Sequence, residues 1–162
     1  MKGIVIGSSL SGKTSLIKYF RKNTNLQVQE IDEEIKDRSG GKWPTDDVYR
    51  FKVLGQKIID DALGSDDIIF FTNTDYFTDN NLKVARKKGF KVIQLYLDLD
   101  ELEKRNKYRM KYEGYDDFSK WLKSMLGYQE RIKSEGHVDK IIAANKPVEK
   151  IAKEIVVALN AK

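Results

Sequence analysis

Gly7-Ser8-Ser9-Leu10-Ser11-Gly12-Lys13-Thr14 fits the phosphate-loop spacing G-x-x-x-x-G-K-[ST] at every fixed position. The two glycines let the chain turn tightly enough for successive backbone N–H groups to converge on the phosphates of a nucleotide. Lys13 then neutralises the β- and γ-phosphates, and the Thr14 hydroxyl is offered to Mg²⁺. Gly7, Ser8, Ser9, Leu10, Ser11, Gly12, Lys13, Thr14 and Ser15 are therefore the candidate nucleotide-binding residues, with ATP and Mg²⁺ as the expected ligands.

Phosphoryl transfer also needs a carboxylate to hold the metal ion and often a second to orient or deprotonate the acceptor. In open α/β sheets such groups stand beyond the carboxyl ends of the strands. Three stretches qualify: Glu30 to Asp32, Thr72-Asn73-Thr74-Asp75, and Asn145-Lys146-Pro147. Asp32 is the candidate for the acceptor side, where Asn73 and Asp75 join it, and Glu30 or Asp75 is the candidate for the metal side with Thr14. Asp32 also reads as a helix N-cap in Asp32-Glu33-Glu34-Ile35, so both readings stand. One dense basic cluster, residues 104–112, has aromatic residues between its charges; such a run is either a solvated helix face or a clamp for phosphates.

A phosphate loop works only between a buried strand and a helix N-terminus, and both are legible. Residues 3–6 are an apolar run, and Leu16, Ile17 and Phe20 share one face of the helix that follows the loop. Further strands are expected at 26–31 (ending at Asp32), 68–71, 91–97 and 138–143, with helices at 33–38, 79–88, from about 100, and after Pro147. This alternation predicts an α/β chain, a five-stranded parallel sheet between helical layers. A helix starting on Thr45 as N-cap should bury Val48, Phe51, Leu54 and Ile58; a later one should bury Phe118, Trp121, Leu122, Met125, Leu126 and Ile132.

A length of 162 residues predicts a single domain, 1–162, with a core of 1–32, 65–100 and 135–162 and two helical excursions, 33–64 and 101–134. No cysteine and one histidine, His137, exclude disulfides, thiol catalysis and multi-histidine metal centres. No apolar run is long enough to cross a bilayer, and the first one leads straight into the phosphate loop, which predicts a cytoplasmic protein without a membrane partner. The 30 basic residues outnumber the 25 acidic ones by only five, a balance that permits a nucleic-acid partner without favouring one.

Over nearly its whole length the chain resembles the P-loop small-molecule kinases, the group containing nucleoside monophosphate kinases, shikimate kinase and gluconate kinase. Glu30-Ile31-Asp32-Glu33-Glu34-Ile35 is similar to the acidic pattern after the second strand in the shikimate-kinase branch, which implies that Asp32 binds the acceptor hydroxyl. Leu102-Glu103-Lys104-Arg105-Asn106-Lys107-Tyr108-Arg109 resembles the L-x-x-R-x-x-x-R start of the mobile lid, which implies that Arg105 and Arg109 close over the phosphates. Four apart on a helix, they share one face and can grip phosphate oxygens. Asn145-Lys146-Pro147 occupies the place of the adenine-bracketing loop. The resemblance thus implies a three-layer αβα P-loop NTPase fold, with 33–64 binding the acceptor, 101–134 forming the lid, and Lys13, Asp32, Arg105 and Arg109 as the catalytic set. Thr72-Asn73-Thr74-Asp75 departs from the G-x-P-R of adenylate kinases and the three glycines of shikimate kinase, which sets this chain apart from both acceptors. Arg38, Lys42, Tyr49 and Arg50 offer an alternative acceptor grip, with Trp43 as a stacking surface.

The function expected on these grounds is ATP-dependent transfer of the γ-phosphoryl group to a small acceptor, a nucleoside or nucleotide. The alternatives are a polynucleotide 5′-hydroxyl kinase, another hydroxyl-metabolite kinase, and a GTP-binding switch. The switch lacks its guanine-reading carboxylate: the last strand is followed by Asn145-Lys146-Pro147-Val148 rather than N-K-x-D, and the D-x-x-G match at Asp61-Ala62-Leu63-Gly64 precedes the third strand instead of ending it.

Overall fold

The computed structural model describes residues 1–161. Five strands, β1 (Lys2–Gly7), β2 (Val28–Glu30), β3 (Ile68–Thr72), β4 (Lys91–Tyr96) and β5 (Lys140–Ala143), form one sheet in the order β2-β3-β1-β4-β5, with every pairing parallel. Seven α-helices connect and cover it: α1 (Lys13–Asn23), α2 (Ile31–Arg38), α3 (Gly55–Leu63), α4 (Asp79–Lys87), α5 (Leu99–Tyr112), α6 (Ser119–Ser134) and α7 (Val148–Asn160). The three-layer αβα architecture expected from the alternating pattern is the one observed.

Strand side chains point alternately to the two faces, which divides the core in two. Ile4, Ile6, Phe70 and Val92 pack with α2, α3 and α4 on one face. Val5, Ile69, Phe71, Ile93 and Leu95 pack with α1 and α7 on the other. β1 sits at the centre, and its Ile4, Val5 and Ile6 are fully buried. The phosphate loop is thus anchored on the most enclosed strand of the sheet.

Three local expectations are corrected. β2 ends at Glu30 because Ile31 already opens α2, so Asp32 lies inside the first helical turn and is not its cap; the N-cap position belongs to Glu30, which makes no side-chain cap bond. Burial of Ile31 suits a strand or a helix equally, which hides the boundary from an apolar pattern. Thr45 is not a cap either: the Asp46 carboxylate accepts from the Tyr49 backbone N–H at 3.0 Å. Tyr49–Leu54 then winds as a π-helical segment, whose wider turn shifts the phase and leaves Val48 exposed while Leu54 and Ile58 stay buried. On α6 the buried stripe runs through Leu122, Met125, Gln129 and Ile132, and Trp121 faces solvent.

Candidate active site

The phosphate loop joins β1 to α1 through backbone that few residues tolerate. Gly12 caps α1 with a left-handed φ of 88°, and Leu10 holds a φ of 74°, a strained value for a branched side chain. At Gly7 a Cβ would collide with the Ser11 hydroxyl oxygen. The Ser8 and Ser11 hydroxyls are buried without a hydrogen-bond partner, so the loop carries polar atoms that its own fold leaves unpaired. Lys13 is buried and donates through Nζ to the carbonyl oxygens of Gly7 at 2.8 Å and Ser8 at 2.9 Å, while Thr14 and Ser15 are exposed at the start of α1.

Around Lys13 the ends of β2 and β3 bring three carboxylates together. Burial lowers the Lys13 pKa, and Asp32, Glu30 and Asp75 act against that shift. Burial, with Asp32 beside it, pushes Glu30 up to about 7. Asp32 is raised chiefly by loss of water, with Lys13 opposing, and its Oδ1 is buried without a partner. Asp75 is exposed as a residue, yet the protein around its carboxylate still raises its pKa, again against Lys13. Asn73 Oδ1 accepts from the Asp75 backbone N–H at 3.4 Å and shapes the turn that presents it. A cavity of about 460 Å³ opens next to Asp75, between the N-terminus of α4 and the Tyr128 and Arg131 side chains of α6.

The first excursion divides its candidates. Arg50 faces the acidic cluster: it opposes the raised pKa values of Asp32, Asp75 and Tyr76, the last held at about 12 by burial. Its guanidinium lies 5.2 Å from the centre of the Trp43 ring and 4.7 Å from that of Phe51, bonds the Pro44 carbonyl and Asp47, and leaves Nε buried and unpartnered. Arg38 instead ties α2 to α3 through Glu34 and Asp61, at 3.2 and 2.6 Å. Tyr49 and Lys42 are exposed. Sequence reasoning missed Lys36, whose charge acts on Asp32, and Tyr76, which is buried against Phe51; the apolar pair Tyr76-Phe77 directly after the β3 turn is the signal that could have found the latter.

The α5 arginines separate. Arg105 donates to the Leu10 carbonyl at 3.0 Å and to the Ala144 carbonyl at 3.0 Å, spanning from the phosphate loop to the loop after β5. Arg109 pairs with Glu113 and stacks on Tyr115 at 3.6 Å, yet is near enough for its charge to lower the Lys13 pKa. Asn145, Lys146 and Pro147 are exposed beside Ala144, with Lys146 paired to Glu154 at 2.7 Å. Among the described residues no group of three His, Asp or Glu side chains is arranged to hold a metal ion, and no helix is long and apolar enough to cross a membrane.

No family model matches the chain, and no curated protein matches it by sequence. Three-dimensional similarity is extensive. Shikimate kinase from Aquifex aeolicus superposes with a TM-score of 0.73 at 18% identity, over 98% of this chain and 96% of that one. The chain has the P-loop kinase fold. A gluconokinase from Sinorhizobium meliloti shares the fold with a TM-score of 0.65 at 20% identity, over 98% of this chain and 90% of that one. So does the YorR protein of Bacillus subtilis, solved in complex with phosphorylated GDP, with a TM-score of 0.61 at 18% identity over 96% and 94% of the two chains. Within the P-loop kinase fold, the carboxyl ends of β1, β2 and β3 here carry the phosphate loop, the Glu30 and Asp32 pair, and Asp75.

Proposed function

We propose that this protein is an ATP-dependent kinase that moves the γ-phosphoryl group to a hydroxyl of a small acceptor, a nucleoside or nucleotide. One observation carries the reading: the phosphate-loop lysine is buried where three carboxylates from two strand ends act on it. The similarity in fold to shikimate kinase and gluconokinase supports the reaction class. The half-exposed Trp43 ring, with Lys36 and Arg50 over it at 6.0 and 5.2 Å, supports a planar base in the acceptor.

When bound, ATP with Mg²⁺ would supply the activated phosphoryl group and a compensating positive charge. The residues present fit that pair: a strained loop at a helix N-terminus with two unpaired buried serine hydroxyls suits phosphates, and Thr14 with Glu30 or Asp75 would provide the few protein oxygens that Mg²⁺ takes. Lys13 stabilises charge on the transferred group. Asp32, made more basic by burial, takes the hydroxyl proton as the acceptor oxygen bonds to the γ-phosphorus and the bond to the departing ADP oxygen breaks. Arg105 and Arg109 hold the 101–134 lid over the nucleotide, and Asn145 to Pro147 border the adenine. Arg50 and Trp43 orient the acceptor within 33–64, with Asn73 and Asp75 opposite. Tyr49 and Arg38 shape that segment from outside.

Incubating the protein with ATP and a panel of nucleosides and nucleotides, with Lys13→Ala as the blank, tests the reading. Transfer to at least one of them by the wild-type chain alone is expected. Transfer to sugar acids and to none of the nucleosides or nucleotides would overturn the acceptor.

A further inference from the structure

Residues 104–123 hold more charge and more exposed aromatic surface than the transfer reaction uses. Seven basic residues stand against three acidic ones there, so this stretch of 20 residues holds four of the chain's five net positive charges. Tyr108, Tyr112, Tyr115 and Trp121 are each half or more exposed. They are arranged with one another and with cations: the Tyr108 and Tyr112 rings lie 4.8 Å apart, Lys111 is 5.0 Å from the Tyr112 ring centre, and Lys120 is 4.9 Å from that of Trp121. A solvated helix face accounts for the lysines, and Tyr115 supports Arg109, but the rings of Tyr108, Tyr112 and Trp121 are left in water without a reason.

Position supplies the reason. On α5, Lys104, Tyr108 and Lys111 follow at intervals of four and three and share a face. That face adjoins the one carrying Arg105, which bonds the phosphate loop at Leu10, and Arg109, whose charge reaches Lys13. A ridge of alternating rings and cations therefore starts where phosphates are held and leads away from it.

We infer that this ridge binds single-stranded nucleic acid, and that the acceptor is the 5′-terminal nucleoside of that strand; this rests on the kinase reading above. Tyr108 and Tyr112 stack bases, which any sequence provides, while Lys104 and Lys111 meet the backbone phosphates. The Tyr108 and Tyr112 rings, paired 4.8 Å apart with Lys111 over the second, suit successive stacked bases and their phosphates better than an acidic protein surface. A membrane surface would require a continuous aliphatic face, and here tyrosines and lysines alternate. From Arg105 to Tyr112 the helix advances about 10 Å, room for about three nucleotides at the spacing of a stacked strand. Asp32 accepts the terminal 5′-hydroxyl proton, the hydroxyl oxygen bonds to the γ-phosphorus, and the bond to the ADP oxygen breaks, so the products are ADP and a 5′-phosphorylated strand.

The test measures ATP-dependent phosphorylation of 5′-hydroxyl oligothymidylates from one nucleoside to about eight nucleotides, with DNA and RNA arms, beside anisotropy of a labelled oligothymidylate. The acceptor KM is expected to fall about tenfold or more as the strand grows to about four nucleotides and then level off, and affinity should drop steeply with added salt. Tyr108→Ala with Tyr112→Ala should abolish the length dependence while leaving mononucleoside turnover unchanged. A KM independent of length, or a length dependence that survives both substitutions, overturns the inference and leaves the kinase reading intact. Tight anisotropy binding with no transfer to any strand or nucleoside overturns the acceptor assignment. Binding of phosphatidylserine vesicles in place of oligonucleotide, lost in the same double variant, assigns the ridge to a membrane and overturns the inference too.

Discussion

The phosphate loop and the segment of residues 39–54 both border the acidic cluster, and they are built in opposite ways. The loop hangs from three fully buried residues of the central strand and runs into a helix held by Leu16, Ile17 and Phe20, so what it offers a ligand on the proposed reading is backbone N–H groups and one buried lysine. The segment 39–54 is mostly exposed, includes a π-helical turn, and is fastened by charge and ring contacts of Arg50. A phosphate tail is common to all donors and can be read by rigid backbone. An acceptor is particular, and side chains on a lightly anchored segment can be exchanged without disturbing the sheet.

Lys13→Ala should break the donor side outright. If Lys13 stabilises the charge that develops on the transferred group, as proposed, its loss should lower kcat about a thousandfold or more in an ADP-release assay. A loss below about tenfold would mean that charge is stabilised elsewhere, and the contrast between the two regions would collapse.

Asp32→Asn acts where the two regions meet, and should lower kcat by about a hundred- to ten-thousandfold while nucleotide binding persists. Because burial raises the Asp32 pKa, the wild-type rate should climb with pH through a value above the ordinary carboxylate range. The asparagine variant should lose that acidic limb. Intact turnover in the variant would remove Asp32 from proton transfer.

Glu30 should show the cost of gathering these carboxylates. Its carboxyl is lifted from 4.5 to about 7 by burial and by Asp32, so between those values the folded chain keeps a proton that the unfolded chain has released. Stability therefore falls as pH rises across that window, by about 2–3 kcal/mol in all. In buffer free of divalent cations, Glu30→Gln should melt roughly 5–10 °C higher than wild type at about pH 8. Below pH 4.5 the two should coincide. Equal melting at alkaline pH would show that Lys13 already offsets the burial of Glu30.

The same contrast explains what the sequence made legible. The phosphate loop was visible because backbone geometry demands glycine at fixed places: Gly12 needs its left-handed φ, and Gly7 has no room for a Cβ. The five-stranded parallel sheet followed from the alternation of strands with helices, because strands such as Ile68-Ile69-Phe70-Phe71 are buried on both faces, whereas the strand order had to be seen in the fold. What was hidden depends on where side chains point. Arg38 and Arg50 look alike in the chain, yet one is spent on Glu34 and Asp61 while the other turns toward Asp32 and Asp75. The π-helical turn that swings Val48 outward has no residue signature that a periodic pattern can register.

Arg50→Ala separates the two regions with the smallest expected effect. Arg50 has one buried N–H without a partner, lies over Trp43, and brings a positive charge to act on Asp32 from outside the phosphate loop and α2. If it holds the acceptor, its removal should raise the acceptor KM about tenfold, the worth of one charge-assisted hydrogen bond, with the KM for ATP unchanged. Arg50→Lys should restore little, because an ammonium cannot lie flat against the Trp43 and Phe51 rings while presenting a planar fork of donors. Equal losses for ATP and acceptor would instead make Arg50 a support for the whole acidic cluster, acting through Tyr76 and Asp75, and acceptor recognition would have to pass to the Trp43 ring alone.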